Sequence, residues 1–290
     1  MNKKARLQMV VAMAIFGTIG IFKKYIPLTS GEIALYRAVL AAAFIVTVLL
    51  VTKNKLPLAA IKKQVPVLLL SGAAMGFNWI LLFEAYNYTS VSVATLSYYF
   101  APVLVTVVSP VLFKEKMGVK QWICSVMATF GIVLITGIDF GGGSSHLMGV
   151  AFGLGAAVLY ASVILLNKYL HGVSGIHRTL LQFLAAIVVL VPYVLLTQRT
   201  QGPVGTRGIV LMLVVGLVHT GVAYCMYFSS MKEIPSQKVA ILSYIDPLVA
   251  ILLSALLLKE PMGVWQIVGG ALILGFTLLN EVELKKKPVP

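Results

Sequence analysis

"YFAPVLVTVVSPVLFKEKMGVKQ" (99–121) and "YIDPLVAILLSALLLKEPMGVWQ" (244–266) are one passage written twice, 145 residues apart. Ten of the 23 positions are identical: Tyr99/Tyr244, Pro102/Pro247, Ser109/Ser254, Leu112/Leu257, Lys114/Lys259, Glu115/Glu260, Met117/Met262, Gly118/Gly263, Val119/Val264 and Gln121/Gln266. An apolar alphabet yields some of these matches freely. It does not yield Lys-Glu-x-Met-Gly-Val-x-Gln. Upstream, one gap brings "VATLSYY" (93–99) over "VAILSY" (239–244). Downstream the match fades.

Each passage carries an apolar run that ends in Lys-Glu. A transmembrane helix needs about 20 mostly apolar residues, and such runs recur along the chain. Of 290 residues 59% are apolar and 11% charged, against roughly 25% charged in soluble domains. The fold expected is an all-α polytopic membrane protein. Ten spans are predicted, at 7–23, 32–51, 66–84, 91–113, 119–138, 148–167, 178–197, 208–229, 237–258 and 264–281. The loops are short, with turn material at Pro57, Pro203 and the Gly/Ser run at 141–145. The opening "MNKKARLQMVVAMAIFG" has the look of a signal peptide, but the repeat needs it as the first helix.

The formal charge of +14 would suggest nucleic acid in a soluble protein. Here basic residues in short loops orient the helices, and no nucleic-acid partner is expected. With the N-terminus inside, 17 of the 23 Lys and Arg residues fall on the inner side and six outside, Lys23, Lys24 and Arg37 among the six. Both termini are therefore expected in the cytoplasm. Cys124 and Cys225 fit no metal or disulfide spacing and read as small core residues. Neither a metal nor a cofactor is expected.

A unit of five spans inverts its copy, because an odd number of crossings puts the second copy upside down. The expected domains are 1–140 and 146–285, two inverted five-helix repeats. Inverted repeats are characteristic of secondary transporters, since two like halves of opposite orientation give nearly equivalent inward-open and outward-open states. Two further classes compete. A membrane-embedded enzyme needs chemistry, and there is no Walker A sequence, no HExxH and no Cys/His cluster. A channel needs a polar path or charged rings. Without an ATP-binding motif, energy is expected from a gradient or from exchange.

The two passages, extended to "YYFAPVLVTVVSPVLFKEKMGVKQWICSVMATFGIVLI" and "SYIDPLVAILLSALLLKEPMGVWQIVGGALILGFTLL", each resemble the end of an EamA-type repeat. That repeat is the signature of the ten-helix drug/metabolite transporter superfamily. Phe16-Gly17, Lys24 and Arg37 look like the start of the same repeat, with Tyr160, Lys168 and Gln182 at comparable places in the second copy. Phe16 stands where the family often has Trp, and Gln182 replaces the Arg of the first copy. The resemblance implies a central cavity, export of small metabolites and a bacterial inner membrane.

Only nine carboxylates exist. Glu115, Glu233, Glu260, Glu281 and Glu283 belong to loops or ends, Glu32 begins the second span and Asp139 ends the fifth. Asp246 lies eight residues past Lys238, about 12 Å into a helix at 1.5 Å per residue. An Asp at a helix centre costs roughly 2.5–3.5 kcal/mol in lipid, so it should face protein or water. Pro247 removes a backbone donor and frees a carbonyl near Ser243, which membranes tolerate where the break lines a cavity. Pro102 repeats the kink with Ala101 in place of Asp246. The kink is thus architectural, and Asp246 serves substrate or proton, or is a protonated group bonded to a neighbouring helix. Glu84, at the end of the third span, and His219, within the eighth, are further coupling candidates. Their alternatives are a solvated helix end and a packed neutral imidazole.

Aromatics fill out the expected site. Tyr98, Tyr99 and Tyr244 flank the paired prolines, and Trp79, Tyr160 and Tyr224 lie in neighbouring spans. Phenols beside an Asp hold cations through charge and ring faces. Asn78 is expected in the same pocket. Tyr86, Tyr88 and Trp265 read as interfacial belt, and Lys24 and Lys168 as snorkelling helix ends. Gly149, Gly153, Gly269, Gly270 and Gly275 permit close packing. The partners expected are a small-molecule substrate and the lipid bilayer, with monomer and homodimer both open. The substrates indicated are amino acids or related amines, exported; an importer of a quaternary amine would want the same groups.

Overall fold

The computed structural model describes residues 3–57, 61–114, 117–136, 143–197, 204–231, 233–234, 239 and 242–281. Glu115, Asp139, Pro203, Lys238 and Glu283, named above, lie outside them. The described residues are helical with no strands. We number the helices by span: α1 Lys3–Lys24, α2 Ser30–Val51, α3 Val65–Tyr88, α4 Val91–Phe113, α5 Val119–Thr136, α6 Gly143–Asn167, α7 Gly175–Thr197, α8 Thr206–Met231, α9 Ile245–Leu257 and α10 Val264–Glu281. Seven are long and apolar enough to cross a membrane; α5, α9 and α10 are shorter apolar helices. Large side chains such as Leu50, Val111, Leu196 and Leu256 stand exposed on the outer faces. Acyl chains cover such faces at no cost, whereas water would not.

Local chemistry sets the helix ends. Thr29 caps α2 in a reciprocal box: its N–H donates to Glu32 Oε2 at 2.9 Å while Glu32 N–H donates to Thr29 Oγ1 at 3.3 Å. This satisfies two otherwise unpaired donors and explains the carboxylate at the start of the span. Lys114 and Lys259, equivalent in the repeat, both take φ 53°. A left-handed residue commonly closes a helix, and α4 and α9 are closed by it at matching lysines. The opening helix α1 packs against α8 and α9.

The interior breaks are informative. α4 consists of Val91–Tyr98 and Ala101–Phe113, with Tyr99 and Phe100 between them. α9 begins at Ile245 after a turn at Tyr244. Each break falls three residues before a proline, Pro102 or Pro247, where the missing N–H leaves a turn without its hydrogen bond. α8 is interrupted differently: Val214–Val222 is π-helical, between α-helical Thr206–Leu213 and Ala223–Met231.

The principal packings are α1 on α8 and α9, α6 on α3 and α4, α2 on α7 and α8, α3 on α7, α4 on α9 and α5 on α10. Exchanging each helix for the one five places along returns the same set. The largest apolar core joins α2, α3 and α7 around Ile33, Ile45, Phe83 and Phe183. Of the glycines, Gly269 serves an internal contact: a Cβ there would lie 2.5 Å from the Gly131 carbonyl oxygen, and one on Gly131 2.7 Å from that of Gly269. Gly149 faces Thr89 and Gly153 faces Ser97, while Gly275 meets nothing within 4 Å.

Gly131→Ala and Gly269→Ala are therefore expected to separate α5 from α10 and to lose about 1–3 kcal/mol of stability. Gly275→Ala should be neutral or gain up to about 1 kcal/mol. Thermal unfolding of the three variants in one detergent checks the contrast; equal shifts would refute the reciprocal glycine contact.

Candidate transport cavity

The two broken helices meet at one point. Tyr99, in the gap of α4, donates its phenolic O–H to Asp246 Oδ2 of α9 at 2.7 Å. Tyr244, in the turn before α9, lies with its ring 6.5 Å from that of Tyr99. Gly17 of α1 brings its helix against this point, since a Cβ there would sit 2.5 Å from the Asp246 carbonyl oxygen. The Phe16-Gly17 pair is thus a close-approach site, and Phe16 is the ring beside it.

Around Tyr99 and Asp246 opens a cavity of about 380 Å³. Its walls come from α1, α2, α3, α4, α6, α8, the turn before α9, and α9 itself. Trp79, Tyr98, Tyr99, Pro102, Tyr160, Tyr224, Ser243, Tyr244 and Asp246, all singled out in the sequence, line it. The rings touch in series: Tyr98 lies 5.8 Å from Tyr99 and 5.2 Å from Tyr160, and Phe16 lies 5.1 Å from Tyr224. An aromatic wall of this kind gives a solute apolar contact and quadrupole faces for a cation. Pro247 is buried in α9 beside Asp246.

Several expectations need correction. Asn78 does not line the cavity; its Nδ2 donates to the Ala156 carbonyl at 2.6 Å, tying α3 to α6. His219 is buried outside it. Its Nδ1 lies 3.3 Å from Val214 O and its Nε2 2.6 Å from Thr18 Oγ1, and Phe22 stacks edge-on at 4.6 Å. Glu84 does not end its helix, because α3 runs on to Tyr88. It accepts from Asn87 Nδ2 at 2.8 Å, and Asn87 Oδ1 accepts from Lys23 Nζ. Lys23 is buried. Lys24 pairs with Glu260 at 3.2 Å. The other Glu260 oxygen accepts from the Val91 N–H at 2.8 Å and from Ser254 Oγ at 2.6 Å. A loop carboxylate thus becomes the tie that holds α1, α4 and α9 together at one end of the bundle.

Other residues enter the site unforeseen. Tyr86 is 3% exposed and lines the cavity instead of an interfacial belt, together with Tyr227, Thr95 and Thr106. Arg37, counted among the outer loop charges, is 4% exposed in the cavity wall with its guanidinium 4.2 Å above the Trp79 ring. The signal for Arg37 was present: it is a charge inside the apolar run 32–51, and intramembrane charges are functional candidates by default. Tyr88 and Trp265 are exposed.

The model of the EamA-like transporter family matches residues 3–137 and again 147–281. The chain belongs to the EamA-like transporter family. It is 29% identical over 288 residues to the uncharacterized transporter YxxF of Bacillus subtilis (strain 168), covering 98% of this chain and 91% of that one. It is also 29% identical over 192 residues to an uncharacterized transporter of Archaeoglobus fulgidus, covering 66% and 67%. A solved crystal structure superposes with a TM-score of 0.66 at 17% identity over 97% of both chains, a likeness of fold. This is a multi-pass membrane protein of a transporter family.

Tyr99→Phe removes the phenolic donor to Asp246. A hydrogen bond to a charged group contributes about 1.5–3 kcal/mol, and solvent in the cavity replaces part of it. We expect a loss of about 1 kcal/mol in solute binding, a several-fold rise in half-saturation, with Tyr98→Phe much closer to wild type. Concentration-dependent uptake of any carried solute measures both; equal effects would separate the bond from function.

Proposed function

We propose that this protein is a secondary transporter that exports small metabolites, amino acids or related amines, across the cytoplasmic membrane by alternating access. The observation that carries this reading is the cavity closed around Tyr99 and Asp246, where two proline-broken helices from opposite halves of the sequence meet. Broken helices at membrane depth are a recurrent binding-site device in secondary transporters. Asp246 supplies the counter-charge for an ammonium group, and the tyrosines supply its ring-lined surroundings.

The working architecture is ten spans in two inverted five-helix repeats, 1–140 and 146–285, with both termini cytoplasmic. The packing that is unchanged when helices five apart are exchanged supports it, as does the left-handed closure at both Lys114 and Lys259. The charge asymmetry supports the orientation. Alternating access follows by exchange: the conformation one half adopts around the cavity is available to the other in the opposite-facing state. Export is the direction the family resemblance favours. Asp246 is the first candidate for proton coupling, since Glu84 and His219 stand outside the cavity. Aromatic faces beside a carboxyl also suit a quaternary ammonium, which makes that class the second reading.

The test is uptake into proteoliposomes of labelled amino acids, amines and choline, with and without an imposed pH gradient. Saturable uptake by wild type is expected, falling at least tenfold in Asp246→Asn. Choline as the preferred solute would establish the second reading. Full uptake by the variant with an unchanged response to the gradient would reduce Asp246 to a structural role.

A further inference from the structure

The transport reading uses the carboxyl wall of the cavity and leaves its one buried guanidinium unexplained. Arg37 lies seven residues into α2, about 10 Å along the helix from Ser30. It shares the cavity with Asp246, yet among the described residues no carboxylate approaches it within 4 Å; the ion pair found there is Lys24–Glu260. A buried charge without a counter-charge is expensive. A long basic side chain normally reaches for the interface instead.

The protein holds Arg37 in place with neutral groups. Nε donates to Thr220 Oγ1 at 3.1 Å. Thr220 gives its own proton to the Val215 carbonyl, five residues back, at 2.9 Å. The π-helical turn of α8 supplies that reach and so turns a hydroxyl lone pair toward Nε. Trp79 lies under the guanidinium plane, with Phe83 at 5.5 Å. One edge and one face of the group are thereby fixed. The two Nη groups hold no hydrogen bond within the described protein. They form the fork that matches a carboxylate in bidentate geometry.

We propose that Arg37 is an anion receptor in the transport cavity, docking the carboxylate of a solute whose ammonium group rests at Asp246 and Tyr99. This rests on the transporter reading above and narrows it. The substrates are amphoteric solutes of the amino-acid kind, and simple amines are poor ones. A cavity of about 380 Å³ holds about a dozen waters, room enough for an amino acid. The solute's two charges meet two wall charges, and its side chain meets rings. A decarboxylated amine would leave Arg37 desolvated and unpaired. Sites built to bond a polar group reject analogues that lack it far more strongly than apolar pockets reject a missing methylene.

The experiment is counterflow in proteoliposomes with L-leucine, L-threonine and L-phenylalanine, each beside its decarboxylated amine and its deaminated acid. Wild type is expected to carry at least one of the amino acids and to prefer it at least tenfold over its amine. Arg37→Gln should shrink that preference to within about twofold, through loss of the amino acid and not of the amine. Arg37→Lys should keep part of it, and Thr220→Val, which only frees the fork, should fall between. Thermal unfolding of each variant verifies the fold. If Arg37→Gln does not fold, the wild-type preference among the three forms and the Thr220→Val intermediate decide. Amines carried as well as amino acids, or a preference that survives Arg37→Gln, overturns the inference and leaves the transporter standing. Carriage of none of the nine, with other solutes carried, also overturns it. Failure to carry any solute at all falls first on the transporter reading.

Discussion

Everything in the site depends on one hydrogen bond across the middle of the molecule, from Tyr99 to Asp246 at 2.7 Å. In hydrocarbon every backbone polar group must find a partner within the protein, so a helix is broken only where protein or water covers the break. Two helices are broken here, each three residues before a proline. Placing the breaks against one another lets each cover the other, and the phenol–carboxyl bond seals the junction. The same junction leaves space, because two kinked helices diverge on either side of their point of contact.

The second constraint is charge. Asp246 and Arg37 are both excluded from lipid by several kcal/mol in a membrane interior, so both face inward. They line one cavity without forming an ion pair. Rings and hydroxyls stand beside them instead: Tyr99 bonds Asp246, and Thr220, Trp79 and Phe83 attend Arg37. Direct pairing would neutralise both charges and remove the demand for a ligand. Separating them keeps that demand, and on the proposed reading α2 and α9 hold the two ends of the solute.

Most of the fold was legible because hydrophobic run length and a long internal match survive in one dimension. The repeated prolines located both breaks to within a turn, and Asp246 stood out because a carboxylate in an apolar run has few explanations. What the sequence concealed was pairing over long separations. Asn78 looked like a cavity residue until the Ala156 carbonyl, 78 positions away, satisfied it. Glu260 looked like a loop residue, yet its partners come from other helices. Arg37 was misassigned by its distance from the start of a span, although its surroundings on α3 and α8 make it an interior group. The π-helical segment has no local signature in composition, since Val, Gly and Thr serve an α-helix almost as well.

That segment has a consequence for helical phase. A π turn holds more residues than an α turn, so a π segment behaves as an α-helix with roughly one residue inserted, about 100° of rotation absorbed locally. The two ends of α8 are therefore geared to different neighbours. Met212 packs into the core before the segment, while Tyr224 and Tyr227 reach the cavity after it. Removing one residue between 214 and 222 would let the helix run straight with both ends still correctly aimed. Removing one elsewhere in α8 would swing the tyrosines off the cavity wall. The segment is the one place in this helix where length can change while the site keeps its bearing.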